Sequence, residues 1–254
     1  MSRRKQFAGL VALIILLGGS LMVEAAEVPG SNPQTYISNS QFVSKRTAHD
    51  FVPDGNLAKP AWHDAAWAKV NRDAFKPVTY PQSSMEIASL WTPGYVYFAY
   101  RCQYTELNVY EGKDPSKDFW TLWDRDVVEV FLNPQPGRMN HYYEFEVSPN
   151  NLWIDLEIDR DKEPFNDPKW DSGYEHATHI DAKNHVWTCE LRIPVAGMRG
   201  TKPIEANTEW RLNLFRADGL GDDAQRRFLS WSPVVSDKHT FHSPWSFGVI
   251  RFVK

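Results

Sequence analysis

Phe119-Trp-Thr-Leu-Trp-Asp-Arg-Asp-Val-Val-Glu-Val-Phe-Leu-Asn-Pro134 decides the fold of this 254-residue chain. The stretch passes from aromatic and acidic residues into a run of β-branched and aromatic side chains, then stops at an Asn-Pro turn. Period-two alternation sets Val128 and Val130 on one face with Asp126, and Val127, Glu129 and Phe131 on the other. It reads as a strand entered through tryptophans.

The same signal recurs outward from there. Segments 85–91, 95–102, 142–148, 153–158, 176–181, 186–193, 210–216 and 247–252 alternate or are rich in β-branched and aromatic residues, as 127–132 is. Turn clusters separate them, among them Thr92-Pro93-Gly94 and Asp218-Gly219-Leu220-Gly221. Residues 61–67 read as a short helical turn that carries Trp62 and Trp67 onto the core. No helical periodicity is sustained and no internal repeat is present. Many short strands with turns between them predict an all-β fold, an antiparallel β-sandwich of jelly-roll or immunoglobulin-like type.

The chain divides into three parts. Residues 1–25 read as a signal peptide: basic Arg3-Arg4-Lys5, an apolar run from Phe7 to Leu17, and small residues before Ala26. The apolar run is too short and glycine-broken for a membrane span. Residues 26–44 are polar and read as a leader, which leaves 45–254 as one domain, secreted or periplasmic. Removing Arg3, Arg4, Lys5 and Glu24 from 28 basic and 32 acidic residues leaves 25 against 31. That balance argues against nucleic acid or an anionic membrane surface as partner. Eleven Trp, fourteen Phe and ten Tyr exceed what a core obviously requires.

The two cysteines, Cys102 and Cys189, both fall on inward faces of strands. A disulfide between strands or sheets satisfies that placement in an oxidising compartment, and so do two buried thiols.

One sheet face carries unusual chemistry. In 142–148, Tyr143, Phe145 and Val147 point inward and Glu144, Glu146 and Ser148 outward. In 210–216, Leu212 and Leu214 point inward and Arg211, Asn213 and Phe215 outward. Set beside the Glu129 strand, the outer surface carries Glu129, Glu144, Glu146, Arg211 and Asn213. A solvated face with cross-strand ion pairs is one reading. With Trp-rich loops around it, a binding surface is the other. Aromatic rings beside carboxylates suit a polar ligand with an apolar face, and a sugar ring fits that description.

The ordered set of motifs resembles the family 9 carbohydrate-binding modules. The set runs Asp54-Gly55 then Trp62; Leu90-Trp91 then Tyr95-Val-Tyr-Phe-Ala99; Trp123-Asp-Arg-Asp-Val-Val-Glu129; Tyr143-Glu-Phe-Glu-Val147. It continues through Trp187-Thr-Cys-Glu190, Trp210-Arg-Leu-Asn213, Ser230-Trp231-Ser232 and Phe247-Gly248. The resemblance implies a β-sandwich that holds a mono-, oligo- or polysaccharide between two aromatic side chains. Trp123 matches one of them and Glu129 matches a carboxylate that accepts sugar hydroxyls. The second aromatic falls at Phe241, with Trp245 as the alternative, and Glu146, Arg211 and Asn213 are outer candidates. The chain also departs from the pattern. An Arg, an Asn and a Gln that contact sugar in the family align with Glu146, Ser148 and Phe215, so the ligand need not be the family's usual one.

Other classes are weaker in the residues. Glu144 and Glu146 have a spacing compatible with a glycosidase pair, but no surrounding motif supports catalysis. Bond cleavage then falls to a separately encoded glycosidase. The resemblance implies a structural Ca²⁺, and Asp155, Glu157, Asp159, Asp161, Asp167 and Asp171 supply oxygen in bulk without a calcium-loop spacing. His176 and His179 face opposite sides of a strand, against a shared zinc site. Related redox sandwiches hold haem b, for which Met85, Met139, Met198, His141 and the lysines are the available ligands.

Overall fold

The structure is a computed structural model that describes residues 37–167, 169–236 and 238–254. The signal peptide expected over 1–25 lies outside the described residues. The strands, in chain order, are β1 (Gln41–Arg46), β2 (Ala68–Val70), β3 (Met85–Thr92), β4 (Tyr95–Gln103), β5 (Val127–Asn133), β6 (His141–Val147), β7 (Trp153–Asp159), β8 (Asn166–Asp167), β9 (Glu175–Asp181), β10 (Val186–Pro194), β11 (Glu209–Asp218), β12 (Arg227–Ser230) and β13 (Gly248–Val253). They form one curled sheet in the order β8-β7-β6-β5-β11-β13-β1-β3-β4-β10-β9, with β12 on β11 and β2 on β3.

Curling folds one half of the sheet over the other, which makes the sandwich. Val128 and Val130 of β5 and Phe145 of β6 share one apolar cluster with Phe98 of β4 and Trp187 of β10. The remaining strand faces are covered as well. Phe131, Tyr142, Ile158 and Phe215 pack in a second cluster outside the β5–β6–β7–β11 half. Ala88, Leu90, Tyr97 and Trp62 form a third outside the β3–β4 half. Helical structure among the described residues is confined to short 3-10 turns such as Pro60–Trp62 and Leu122–Asp124. No helix of the described residues is long and apolar enough to cross a membrane.

The structure corrects one expectation and decides between the alternatives left open for two others. The stretch read as a leader over 26–44 contains the start of β1, which lies between β13 and β3 and runs parallel to both. The sheet is therefore antiparallel with one parallel insertion. Phe42 alone supplies the apolar inward contact, while buried Ser44 pairs its hydroxyl with Ser89 at 2.9 Å. With Phe42 its one inward apolar residue and Val43 facing out, the strand gives little periodicity to read.

The face bearing the glutamates is not a solvated outer surface. Glu129, Glu144, Glu146 and Asn213 are all buried under loops that complete the second cluster.

Cys102 and Cys189 are free, buried thiols. The β4–β10 register sets Cys102 opposite Trp187 and Cys189 opposite Tyr100, so the pair is diagonal. Diagonal neighbours lie about 7–8 Å apart, their Cβ atoms somewhat less, against the roughly 3.5–4.5 Å between Cβ atoms that a disulfide spans. Burial pushes the Cys102 thiol up to about 12.

The Asp54-Gly55, Trp62 and Glu190 motifs converge on one node. Glu190 of β10, wholly buried, accepts from the Asp54 and Gly55 N–H groups at 2.8 and 2.9 Å and from Trp62 Nε1–H at 2.7 Å. Lys59 neutralises it at 2.9 Å. Gly55 is required there: its φ is +78°, and a Cβ would stand 2.9 Å from the Thr178 carbonyl carbon.

Candidate binding pocket

The floor of the pocket is set by strand register. β5 lies between β6 and β11. Glu129 stands directly opposite Glu146 on one side and Phe215 on the other, while Phe131 faces Glu144. One carboxylate oxygen from each of Glu129, Glu144 and Glu146 lies within 4.8 Å of the other two. Like charges directly opposite one another destabilise a sheet, and removal of water makes their repulsion worse. Burial, followed by the Glu144 carboxylate, pushes Glu129 well above the ordinary carboxyl range, with Arg226 pulling the other way. Burial, then Glu129 and Glu144, pushes Glu146 up as well. Among the described residues, Glu144 Oε2 and both oxygens of Glu146 meet no N–H or hydroxyl donor. His242 Nε2 comes to 3.9 Å of Glu144 Oε2, outside hydrogen-bond reach.

One wall comes from the turn that opens β5. Thr121 takes a left-handed φ of 70° and turns the chain, and Leu122 anchors the turn by full burial. Trp123 is then held half-buried on the pocket, with Trp120 edge-on to it at 5.2 Å. Arg226 fixes this turn by donating to the carbonyls of Trp123 (2.9 Å) and Arg125 (2.6 Å). At the root of the strand, buried Asp126 accepts from Asn108 N–H (3.1 Å) and Gly219 N–H (2.8 Å), tying three loops together. Burial, then Asp218, pushes its carboxyl up to about 6.

Another wall is Phe241, stacked on Phe215 at 4.0 Å and near-parallel to Phe75 at 5.7 Å. Tyr142 pairs its hydroxyl with His242 Nδ1 at 2.9 Å beside it. Together the floor and walls bound a pocket of about 720 Å³.

Trp123, Glu129, Phe241 and Glu146 are brought together here. Arg211, Asn213 and Trp245 are not among the residues lining the pocket. Asn213 faces Phe131 and Arg211 faces Asn133, so each lies a further two residues along β11 from Phe215, about 7 Å per step. At that distance the chain covers the face. Asn213 exchanges hydrogen bonds with the Ser232 backbone at 3.1 and 2.9 Å. Arg211 donates to the carbonyls of Phe247 and Ser38. Trp245 gives its indole N–H to the Val235 carbonyl at 2.6 Å.

Sequence reasoning left Glu144 out of the site, although its alternation with Glu146 places it on the same face. Trp120 carried a signal too, three residues before Trp123. Arg226 carried none, because its role depends on a loop distant in sequence.

The other candidates are engaged elsewhere. Arg138 and Lys162 take up Asp159 at 3.1 and 2.9 Å. Arg199 takes up Glu157 and Asp167, and Ser172 donates to Asp155. The acidic run is thus cross-linked by cations and donors rather than gathered about a shared space. Met85 and Met198 are buried in the inner core, and His141 bonds Glu157 at 2.9 Å. None of them, nor Met139, lines the pocket.

Comparison with known proteins bears on this geometry. The family model described as carbohydrate family 9 binding domain-like matches residues 53–254. An extracellular protein of Arthroderma benhamiae is 28% identical over 144 residues, 52% of this chain and 63% of that protein, so the match spans less than two thirds of that relative. A candidate carbohydrate-binding protein of Bacteroides uniformis shares the fold at a TM-score of 0.67 and 19% identity, over 85% of this chain and all of the other. A family 9 module of Caldicellulosiruptor kristjanssonii in complex with cellotriose has a TM-score of 0.59 at 17% identity, over 84% and 94% of the two chains.

Proposed function

This chain belongs to the carbohydrate family 9 binding domain-like family, and from that membership we propose that it is a non-catalytic module binding a saccharide in the pocket walled by Trp123 and Phe241 and floored by Glu129. The observation that carries the reading is the pocket itself. Half-buried Trp123 and Phe241 line the same space as the Glu129 carboxylate. An indole offers its face to the axial C–H bonds of a pyranose, and stacking of this kind contributes about 1 kcal/mol beyond buried area. The carboxylate accepts from the hydroxyl rim at the same time. The neighbouring structure with cellotriose supports a saccharide as the ligand class.

Membership of a binding-domain family supports binding without cleavage. Glycosidase carboxyls flank the scissile bond from opposite sides. Glu129, Glu144 and Glu146 rise from one surface of paired strands with no acid–base partner motif around them. Cleavage on this reading belongs to a separately encoded glycosidase. The apolar segment within 1–25 and the extracellular relative support a secreted or periplasmic location.

A screen of the purified protein against a glycan array, repeated with calcium and with chelator, tests the reading. Retention of at least one saccharide class is expected. Silence across all glycans under both conditions would reject it.

A further inference from the structure

Three carboxylates at the base of a sugar pocket present a charge problem that a neutral sugar does not solve. Glu129, Glu144 and Glu146 are each at least nine-tenths buried, with mutual oxygen separations inside 4.8 Å. Glu146 is wholly buried, borders the pocket and meets no N–H or hydroxyl donor among the described residues, its one bonding neighbour being the Glu144 carboxyl. Sugar hydroxyls donate hydrogen bonds but bring no charge. The groups lining the pocket that can carry positive charge are Lys76, Lys238, Arg226, His239 and His242, the last with Nε2 3.9 Å from Glu144, against acidic Asp73, Asp124 and Asp223 as well as the three glutamates. Arg226 is already paired with Asp223 at 3.2 Å and with two carbonyls. Among the described residues no lysine or arginine is ion-paired with Glu129, Glu144 or Glu146, so the floor lacks a counter-cation and protons are left as the relief for their repulsion.

From this geometry we infer that the bound saccharide carries a primary ammonium group, an amino sugar whose –NH₃⁺ sits against Glu129, Glu144 and Glu146 while its ring lies on Trp123. The inference rests on the saccharide reading of the pocket. An ammonium has three N–H donors, one for each carboxylate. Charge-assisted bonds of roughly 2.8 Å from a tetrahedral nitrogen put three acceptors about 4.6 Å apart, a separation that falls inside the 4.8 Å limit on the oxygens of the cluster. The aromatic walls add to it, since a cation near an indole or phenyl ring is attracted by the ring's negative face.

A hard divalent cation is the competing occupant, and it fits less well. Calcium takes about six to eight oxygens, commonly with backbone carbonyls among them. Here the three side chains rise from strands paired on both sides, whose carbonyls are committed to the ladder.

The test is calorimetry on the full mature chain at about pH 6.5, below the usual amine range. The probes are a glucosamine oligomer, its N-acetylated counterpart, the matching glucose oligomer, putrescine and calcium chloride alone. The inference predicts that the glucosamine oligomer binds about ten- to a hundredfold more tightly than the two neutral sugars. It also predicts that Glu146→Gln, and independently Glu144→Gln, erases that preference while leaving circular dichroism unchanged. If the neutral sugars bind as well as the amine, the inference fails and the saccharide reading stands. Failure of every sugar to bind removes both. Putrescine binding as tightly as the amino sugar, or calcium binding the cluster with no amine preference, overturns the inference as well. The wild-type comparison decides the matter even if a variant fails to fold.

Discussion

Glu146 stands where a sheet ordinarily places an apolar residue or an opposite charge, directly across from Glu129 and two residues from Glu144. Its carboxyl is raised by burial first and by Glu129 and Glu144 next, with Asp124 adding to the effect. A group whose pKa is higher in the folded than in the unfolded chain holds extra protons on folding. Its contribution to stability is whole below the ordinary glutamate range and is lost as pH rises through the raised value. The ligand-free protein is therefore expected to melt at progressively lower temperature as pH climbs from the ordinary glutamate range toward neutrality. Glu146→Gln keeps the shape and removes a charge, so its melting temperature should depend less on pH and exceed that of wild type at neutral pH. Scanning calorimetry of both proteins across that range checks this. A wild-type profile that rises with pH, or a variant less stable than wild type at neutral pH, would count against the buried-charge account.

At the scale of elements, the sequence reads well where strands are two-sided and apolar. β5 is an example, since Val128 and Val130 entered the inner cluster and Val127 and Phe131 the outer one as alternation requires. β1 is the counterexample, a central strand whose inward residues are Phe42 and Ser44 and whose pairing depends on segments distant in sequence. The site followed the same division. Alternation puts Glu129, Glu144, Glu146, Arg211 and Asn213 on one face. It does not say that the segments around Ser232 and Phe247 would cover the Arg211 end while leaving the Glu129 end open.

The Glu190 node offers a test at this scale, because it lies outside the β3–β4 half, away from the pocket. Glu190→Ala strands Trp62 and two backbone N–H groups and leaves Lys59 with Asp54 and the Val52 carbonyl alone. Breaking a buried charge pair of this sort costs about 3–5 kcal/mol. Urea unfolding should show a loss of that size with saccharide affinity retained in the folded fraction. A loss of affinity in folded protein would instead tie the node to binding.

The described residues form a single curled sheet with an apolar layer inside and one on each outer side, and the layer over β5, β6 and β11 opens into a pocket of about 720 Å³ lined by tryptophan and glutamate. The Phe119–Pro134 stretch supplies both parts of that pocket, its Trp123 wall and its Glu129 floor. Phe215 at the bottom accounts for one departure from the family pattern, since it carries Phe241 on its face where a polar contact to sugar would otherwise reach.

The central claim is that a saccharide stacks on Trp123. Titration calorimetry of Trp123→Ala against the saccharide selected by wild type measures it directly. The account predicts an affinity reduced by about tenfold or more, with the melting curve and circular dichroism of the folded domain retained. An unchanged affinity in that variant would contradict it.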